Sequence, residues 1–191
     1  RWGGGGSRRR GARRSGGGGL GGTVLQGQGR GIGTALLEED RGAFCAGVLK
    51  RSAEAGTTLK LPTDVVIAER LESGVPSRTV PATEVPDGWV ILDIGPESAA
   101  SFAKELGAMG TVVWNGPMGV FEVPPFDQGT RVVAQGLAMG SAVTVIGGGS
   151  TAEAVGKLGL ADEMTHVSTG GGASLEFLEG KVLPGVAALA E

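Results

Sequence analysis

The stretch VIGGGSTAEAV, residues 145–155, decides the fold: an apolar run leads directly into three glycines, two hydroxyl residues and a helix-forming segment. Glycines at 147–149 let a backbone approach an anion closely. The first N–H groups of the following helix then point at that anion from the positive end of the helix dipole. The alternative reading of the same residues is a tight turn that needs positive φ.

A second stretch, HVSTGGGASLEFLEG at residues 166–180, repeats the arrangement, with Gly170–Gly172 between a short strand and a helix. Neither turn is followed by the GKS or GKT of a P-loop, and neither has the GxGxxG spacing of a dinucleotide fingerprint. A third stretch, VVWNGPMGVFE at residues 112–122, carries a buried strand into Asn115-Gly116-Pro117 and ends on Glu122. Asn115 has the chemistry to hydrogen-bond a phosphate, and Glu122 to accept from ribose hydroxyls. Read singly, these two residues are more simply a turn and a solvated carboxylate.

Working outward, short β-branched runs bounded by Gly, Pro or Asp alternate with helical stretches from residue 23 onward, the pattern of βαβ units. Strands are expected at Val65–Ala68, Val90–Ile94, Thr111–Trp114, Val143–Ile146 and Thr165–Val167. Helices are expected at Leu36–Glu39, Ala43–Ala55, Glu97–Leu106, Asp127–Met139, Thr151–Lys157 and Ala173–Leu178. The predicted fold is α/β: a mainly parallel, doubly wound (Rossmann-like) sheet with helices on both faces and ligand-binding loops along one edge.

The 191 residues suit one such domain, spanning 23–191, behind a head of residues 1–22. That head holds six arginines, eleven glycines and no acid, so against a total of −3 the remainder carries −9. Glycine entropy and like charge predict a disordered head without regular elements. An RNA- or lipid-binding arm is the functional alternative for it, and a solvated tail or a mistranslated start the plain one. The acidic body argues against a nucleic-acid partner, since duplex binding needs clustered Lys and Arg. With one Cys (Cys45) and one His (His166), no disulfide framework or Cys/His metal set is available. No apolar run reaches the roughly 18–20 residues needed to cross a bilayer, so no membrane partner and a cytoplasmic location are expected.

Together, NGPMGVFE (115–122), VIGGGSTAEAV (145–155) and HVSTGGGASLEFLEGKVLPGV (166–186) resemble the phosphoglycerate kinase family, in the family's own order. Weaker similarity at 16–40, LPTDVVIAERL (61–71) and WVILDIGPES (89–98) extends the likeness from about Gly17 to Glu191. The resemblance is to the carboxy-terminal, nucleotide-binding half. It implies reversible phosphoryl transfer from 1,3-bisphosphoglycerate to ADP, with Mg²⁺, in glycolysis.

By this resemblance Gly148, Gly149, Ser150 and Thr151 line the nucleotide phosphates, Asn115 reaches a phosphate and Glu122 holds the ribose. Leu92, Pro117 and Val120 look like adenine-pocket residues. Thr169 and Gly170, Gly171 and Gly172 resemble the catalytic helix start that stabilises the transferring group. Ser150 stands where the family often has an aspartate beside the magnesium, and a hydroxyl is a weaker, neutral Mg²⁺ ligand.

The family's amino-terminal half, which binds phosphoglycerate, and the lysine motif that opens its nucleotide half are missing from these residues. The chain is therefore expected to be a monomeric fragment that binds ADP or ATP, takes phosphoglycerate only if that half is supplied, and is inactive alone. The competing reading is a non-catalytic nucleotide-binding fragment.

Overall fold

The computed structural model describes residues 13–15, 47, 50–168 and 170–189. The expected helix at Leu36–Glu39, together with Cys45 and Thr169, lies outside them. Of the helix expected at Ala43–Ala55, residues 47 and 50–54 are helical. Strand β1 (Arg13–Ser15) runs parallel to β2 (Thr58–Lys60), with Arg13 opposite Thr58. The expectation that residues 1–22 hold no regular element fails at these three positions. Strand pairing is main-chain chemistry, so an extended segment joins a strand edge whatever its side chains prefer.

Next comes a three-stranded sheet of β3 (Asp64–Ala68), β4 (Ser77–Pro81) and β5 (Val90–Ile94), in the order β4-β3-β5. Both pairings are antiparallel. β3 and β5 were expected among parallel strands, and β4 was not expected at all. Parallel neighbours need a long crossover, usually a helix. Residues 69–89 contain none, so the chain turns back on itself. Exposed Ser77, Arg78 and Thr79 hide β4 from a search for apolar runs, though Arg78 stacks over Trp89 at 4.2 Å from the ring centre.

The remainder follows the α/β pattern. Helix α1 (Pro96–Gly107) leads to β6 (Thr111–Asn115), α2 (Gln128–Ala138), β7 (Val143–Gly147) and α3 (Gly149–Lys157). A 3-10 turn at Ala161–Glu163, β8 (His166–Ser168), α4 (Gly171–Leu178) and the short α5 (Pro184–Ala187) complete it. β6, β7 and β8 form a parallel sheet in that order.

β8 starts one residue later than its sequence suggests because Thr165 is engaged sideways. Its N–H donates to Thr144 Oγ1 at 2.9 Å, and its Oγ1 accepts from the Thr144 N–H at 3.1 Å. β6 alternates cleanly, burying Val112 and Trp114 and exposing Thr111, Val113 and Asn115. The buried pair joins Ile94, Phe102, Val133, Leu137, Ile146 and Val155 in the main core, which welds α1, α2 and α3 to one face of the sheet. On the other face, Ser174 of α4 lies against Gly147. Helices thus meet both faces of this α/β sheet.

Register then sets the site. Asn115 pairs with Gly147 and Gly147 with Ser168, so all three parallel strands end level with one another. The glycine turns leave from that common edge, where open α/β sheets hold ligands.

Candidate functional site

The two turns after β6 and β7 are bonded to each other. The Gly116 N–H donates to Thr151 Oγ1 at 2.7 Å, which ties the loop 115–122 to the first turn of α3. Gly148, at φ +90°, passes so close to Asn115 that an added Cβ would lie 2.7 Å from Asn115 Oδ1. Positive φ and this contact both require glycine there. The loop is pinned twice more: the Met118 N–H donates to Thr130 Oγ1 at 3.0 Å, and the Val120 N–H to the Leu92 carbonyl at 2.8 Å. Three elements, α3, α2 and β5, thereby fix its height over the sheet.

At the start of α3, Ala152 is the first residue whose N–H returns to a helix carbonyl, that of Gly148, at 3.0 Å. Gly149, Ser150 and Thr151 precede it, so their N–H groups are the unpaired donors that every helix start presents. Gly149 and Ser150 are exposed, and nothing lies within 4 Å of a Cβ added at Gly149. An anion thus has access to the donors and to the dipole end. The Thr151 side chain is fully buried and its oxygen accepts from Gly116. Only its main chain faces the turn.

The second glycine turn is organised by two serines. Ser168 Oγ accepts from the Gly170 N–H at 3.2 Å, and Ser174 Oγ donates to the Gly170 carbonyl at 2.7 Å. α4 begins at Gly171, and Gly170 and Gly172 are exposed. Since Ser174 also packs against Gly147, the two helix starts share one end of the sheet.

Of the residues expected around adenine, Pro117 and Val120 are half-buried in the loop, while Leu92 is 2% exposed and packs on Phe126 in a separate core cluster. Leu92 is therefore the floor beneath Val120 rather than an open contact. Glu122 is exposed at the end of the loop.

Sequence reasoning missed Asp93. It is 1% exposed, and its carboxylate accepts the Ile94 N–H at 2.8 Å and the Gly129 N–H at 2.7 Å, capping α2 from a neighbouring strand. Gly119 and Gly129 both lie so close to Asp93 Oδ1 that a Cβ on either would collide with it. Burial pushes its pKa up to about 7, against the pull of the Gly129 and Ile94 N–H groups, and nearby Asp127 raises it further. Asp64 caps α1 in the same way, accepting from the Ser98 N–H at 2.8 Å and the Glu97 N–H at 3.1 Å. The only sequence signal for either is an acid inside an otherwise apolar strand.

No cluster of three His, Cys, Asp or Glu suited to a metal occurs among the described residues. Mg²⁺ bound through nucleotide phosphates needs few protein ligands, because it keeps several waters. The exposed Ser150 hydroxyl at the α3 start fits that limited demand. No helix among the described residues is long and apolar enough to cross a membrane.

Glycine turns that open two helices at the end of a parallel sheet define a protein of the α/β class. The sequence profile described as "Phosphoglycerate kinase" matches residues 15–181. The chain belongs to the phosphoglycerate kinase family.

It is similar to "Phosphoglycerate kinase" of Roseiflexus castenholzii, 49% identical over 167 residues that make up 87% of this chain and 42% of the relative. It is also similar to "Phosphoglycerate kinase 3, cytosolic" of Arabidopsis thaliana, 51% identical over 172 residues that make up 88% of this chain and 43% of the relative. Among solved structures, phosphoglycerate kinase from Coxiella burnetii matches with a TM-score of 0.87 and 40% identity, over 93% of this chain and 45% of that one. The chain thus spans less than half the length of the relatives it matches.

Proposed function

We propose that this chain is the nucleotide-binding half of a phosphoglycerate kinase, holding Mg-ADP or Mg-ATP for reversible phosphoryl exchange with 1,3-bisphosphoglycerate. In this reading the phosphates sit on the N–H groups of Gly149, Ser150 and Thr151, beside Gly148 and the Asn115 side chain. Glu122 accepts from the ribose hydroxyls. Pro117 and Val120 flank the adenine above Leu92. The N–H groups of Gly170, Gly171 and Gly172 at the start of α4 meet the charge that grows on the phosphoryl group in transit, and Thr169 is assigned the same role by the family resemblance alone. Bound Mg²⁺ supplies charge neutralisation at the phosphates, with Ser150 Oγ as the hydroxyl offered to it.

The observation that carries this reading is the 2.7 Å bond from Gly116 to Thr151, which makes one anion-facing unit of two separate motifs. Phosphoryl transfer asks a protein mainly for positioning and for preorganised donors around the developing charge. Backbone N–H groups at two helix starts meet that demand without a covalent nucleophile. A cytoplasmic location and a monomeric state belong to the same reading.

Phosphoglycerate would be held by the remaining half of a full-length kinase. The coverage of 42–45% of relatives favours a second reading for the chain on its own, a binding fragment that does not turn over. A coupled assay on the purified chain tests the second reading. The purified chain is expected to bind nucleotide and give no turnover, because alignment alone is worth roughly 7–11 kcal/mol of barrier. Robust turnover abolished by Glu122→Ala would overturn the fragment reading.

A further inference from the structure

We infer that Asp93 is a positioning residue for the nucleotide site: its buried carboxylate ties the end of β5 to the start of α2 and thereby sets the loop 116–122 for binding. This rests on the nucleotide-binding reading and adds to it a control of affinity by a group that touches no ligand.

The geometry is a relay. Asp93 Oδ1 accepts from Ile94 on β5, and Asp93 Oδ2 accepts from Gly129 in the first turn of α2. The loop hangs from the neighbours of those two residues. Leu92, one position before Asp93, takes the Val120 N–H, and Thr130, one position after Gly129, takes the Met118 N–H. Gly119, between those two loop donors, lies against the carboxylate itself. Anything that loosens Asp93 from β5 or α2 therefore moves both pins that flank Gly119.

Protonation does this. A carboxyl group accepts N–H bonds less well than a carboxylate, and a buried carboxylate at a helix start also loses its attraction to the dipole. The charged or polar groups that face it are the Gly129, Ile94 and Gln128 N–H groups and the Asp127 carboxylate at the head of α2. With its midpoint near neutrality, Asp93 changes charge within the ordinary range of pH, and the ionised form is the one that holds the loop in its binding position. By linkage, nucleotide binding must then lower the Asp93 midpoint.

The test uses the full chain labelled with ¹³C at aspartate carboxyls, titrated from pH 5.5 to 8.5 with and without saturating Mg-ADP. The expected result is an Asp93 midpoint lower by half a unit or more in the complex, equivalent to about threefold or more in affinity. A midpoint unmoved by Mg-ADP, while other resonances show that Mg-ADP is bound, would overturn the proposal. Absence of any shift anywhere would instead remove the nucleotide-binding reading. Asp93→Asn adds a second arm: ADP affinity measured at pH 6 and pH 8 should change less than in the unmodified chain, the ligand's own titration being common to both. Equal pH dependence in the two folded proteins would count against Asp93. Should the variant not fold, the carboxyl titration of the unmodified chain decides alone.

Discussion

Gly149→Ala separates binding from folding at the centre of the proposed site. Gly149 has ordinary φ, opens α3, and has no atom within 4 Å of the place an alanine methyl would take. Alanine there meets no clash and favours the helix, so stability should stay level or rise by up to about 1 kcal/mol. The methyl group nonetheless occupies the approach to the N–H groups of Gly149 and Ser150. Loss or lengthening of one charge-assisted bond costs about 1.5–3 kcal/mol. At 1.4 kcal/mol per decade that is roughly 10–100-fold in Kd for Mg-ADP. Gly148→Ala is the contrast, since positive φ and the 2.7 Å approach to Asn115 predict loss of both stability and affinity. Calorimetry gives the affinities and thermal melting gives the stability. A Gly149→Ala protein with unchanged Tm and unchanged ADP affinity would refute the assignment of the phosphates to the α3 start.

Glu122→Ala should weaken adenosine and ADP by similar factors, because a ribose contact is common to both; competition binding checks this, and unchanged affinities remove the ribose role. Ser150→Asp adds a hard anionic oxygen at the α3 start and should steepen the magnesium dependence of ADP binding. Identical magnesium titrations would take residue 150 out of the metal site. Thr151→Val removes the buried acceptor of the Gly116 N–H and should cost about 1–3 kcal/mol, lowering Tm by roughly 2–10 °C. Asp93 also predicts a pH trend in folding. Its folded pKa of about 7 lies above the unfolded value near 3.9, so its contribution to stability falls as pH rises from about 4 to about 7 and is flat above. Chemical denaturation of the unmodified chain and Asp93→Asn across that range reads the difference.

The glycine turns were legible because their chemistry is local. Three glycines after an apolar run require close backbone approach or positive φ whatever surrounds them, and Gly148 has both. The helices that follow carry their own periodicity, so α1, α2 and α3 fall within a few residues of expectation. What sequence could not give is held across distance. Asp93 acts on Gly129, 36 residues along the chain, and Thr130 acts on Met118, 12 residues back. Nothing near either residue announces its partner.

Thr151 illustrates how side chain and main chain divide. Its position beside the glycines reads as phosphate-facing, yet helix geometry turns its side chain inward, where it joins two loops. β4 escaped because it sits in a hairpin with mostly exposed side chains, for which apolar runs are the wrong signal. The strand at Arg13–Ser15 escaped for a similar reason, since composition says little about main-chain pairing.

The most direct test is a calorimetric titration of Mg-ADP into the full 191-residue chain at pH 8, alongside a melting curve of the same sample. Saturable binding at one site is expected, raising the melting temperature with ligand concentration. A cooperatively folded chain that gives no saturable heat and no shift in melting temperature at millimolar Mg-ADP would contradict it.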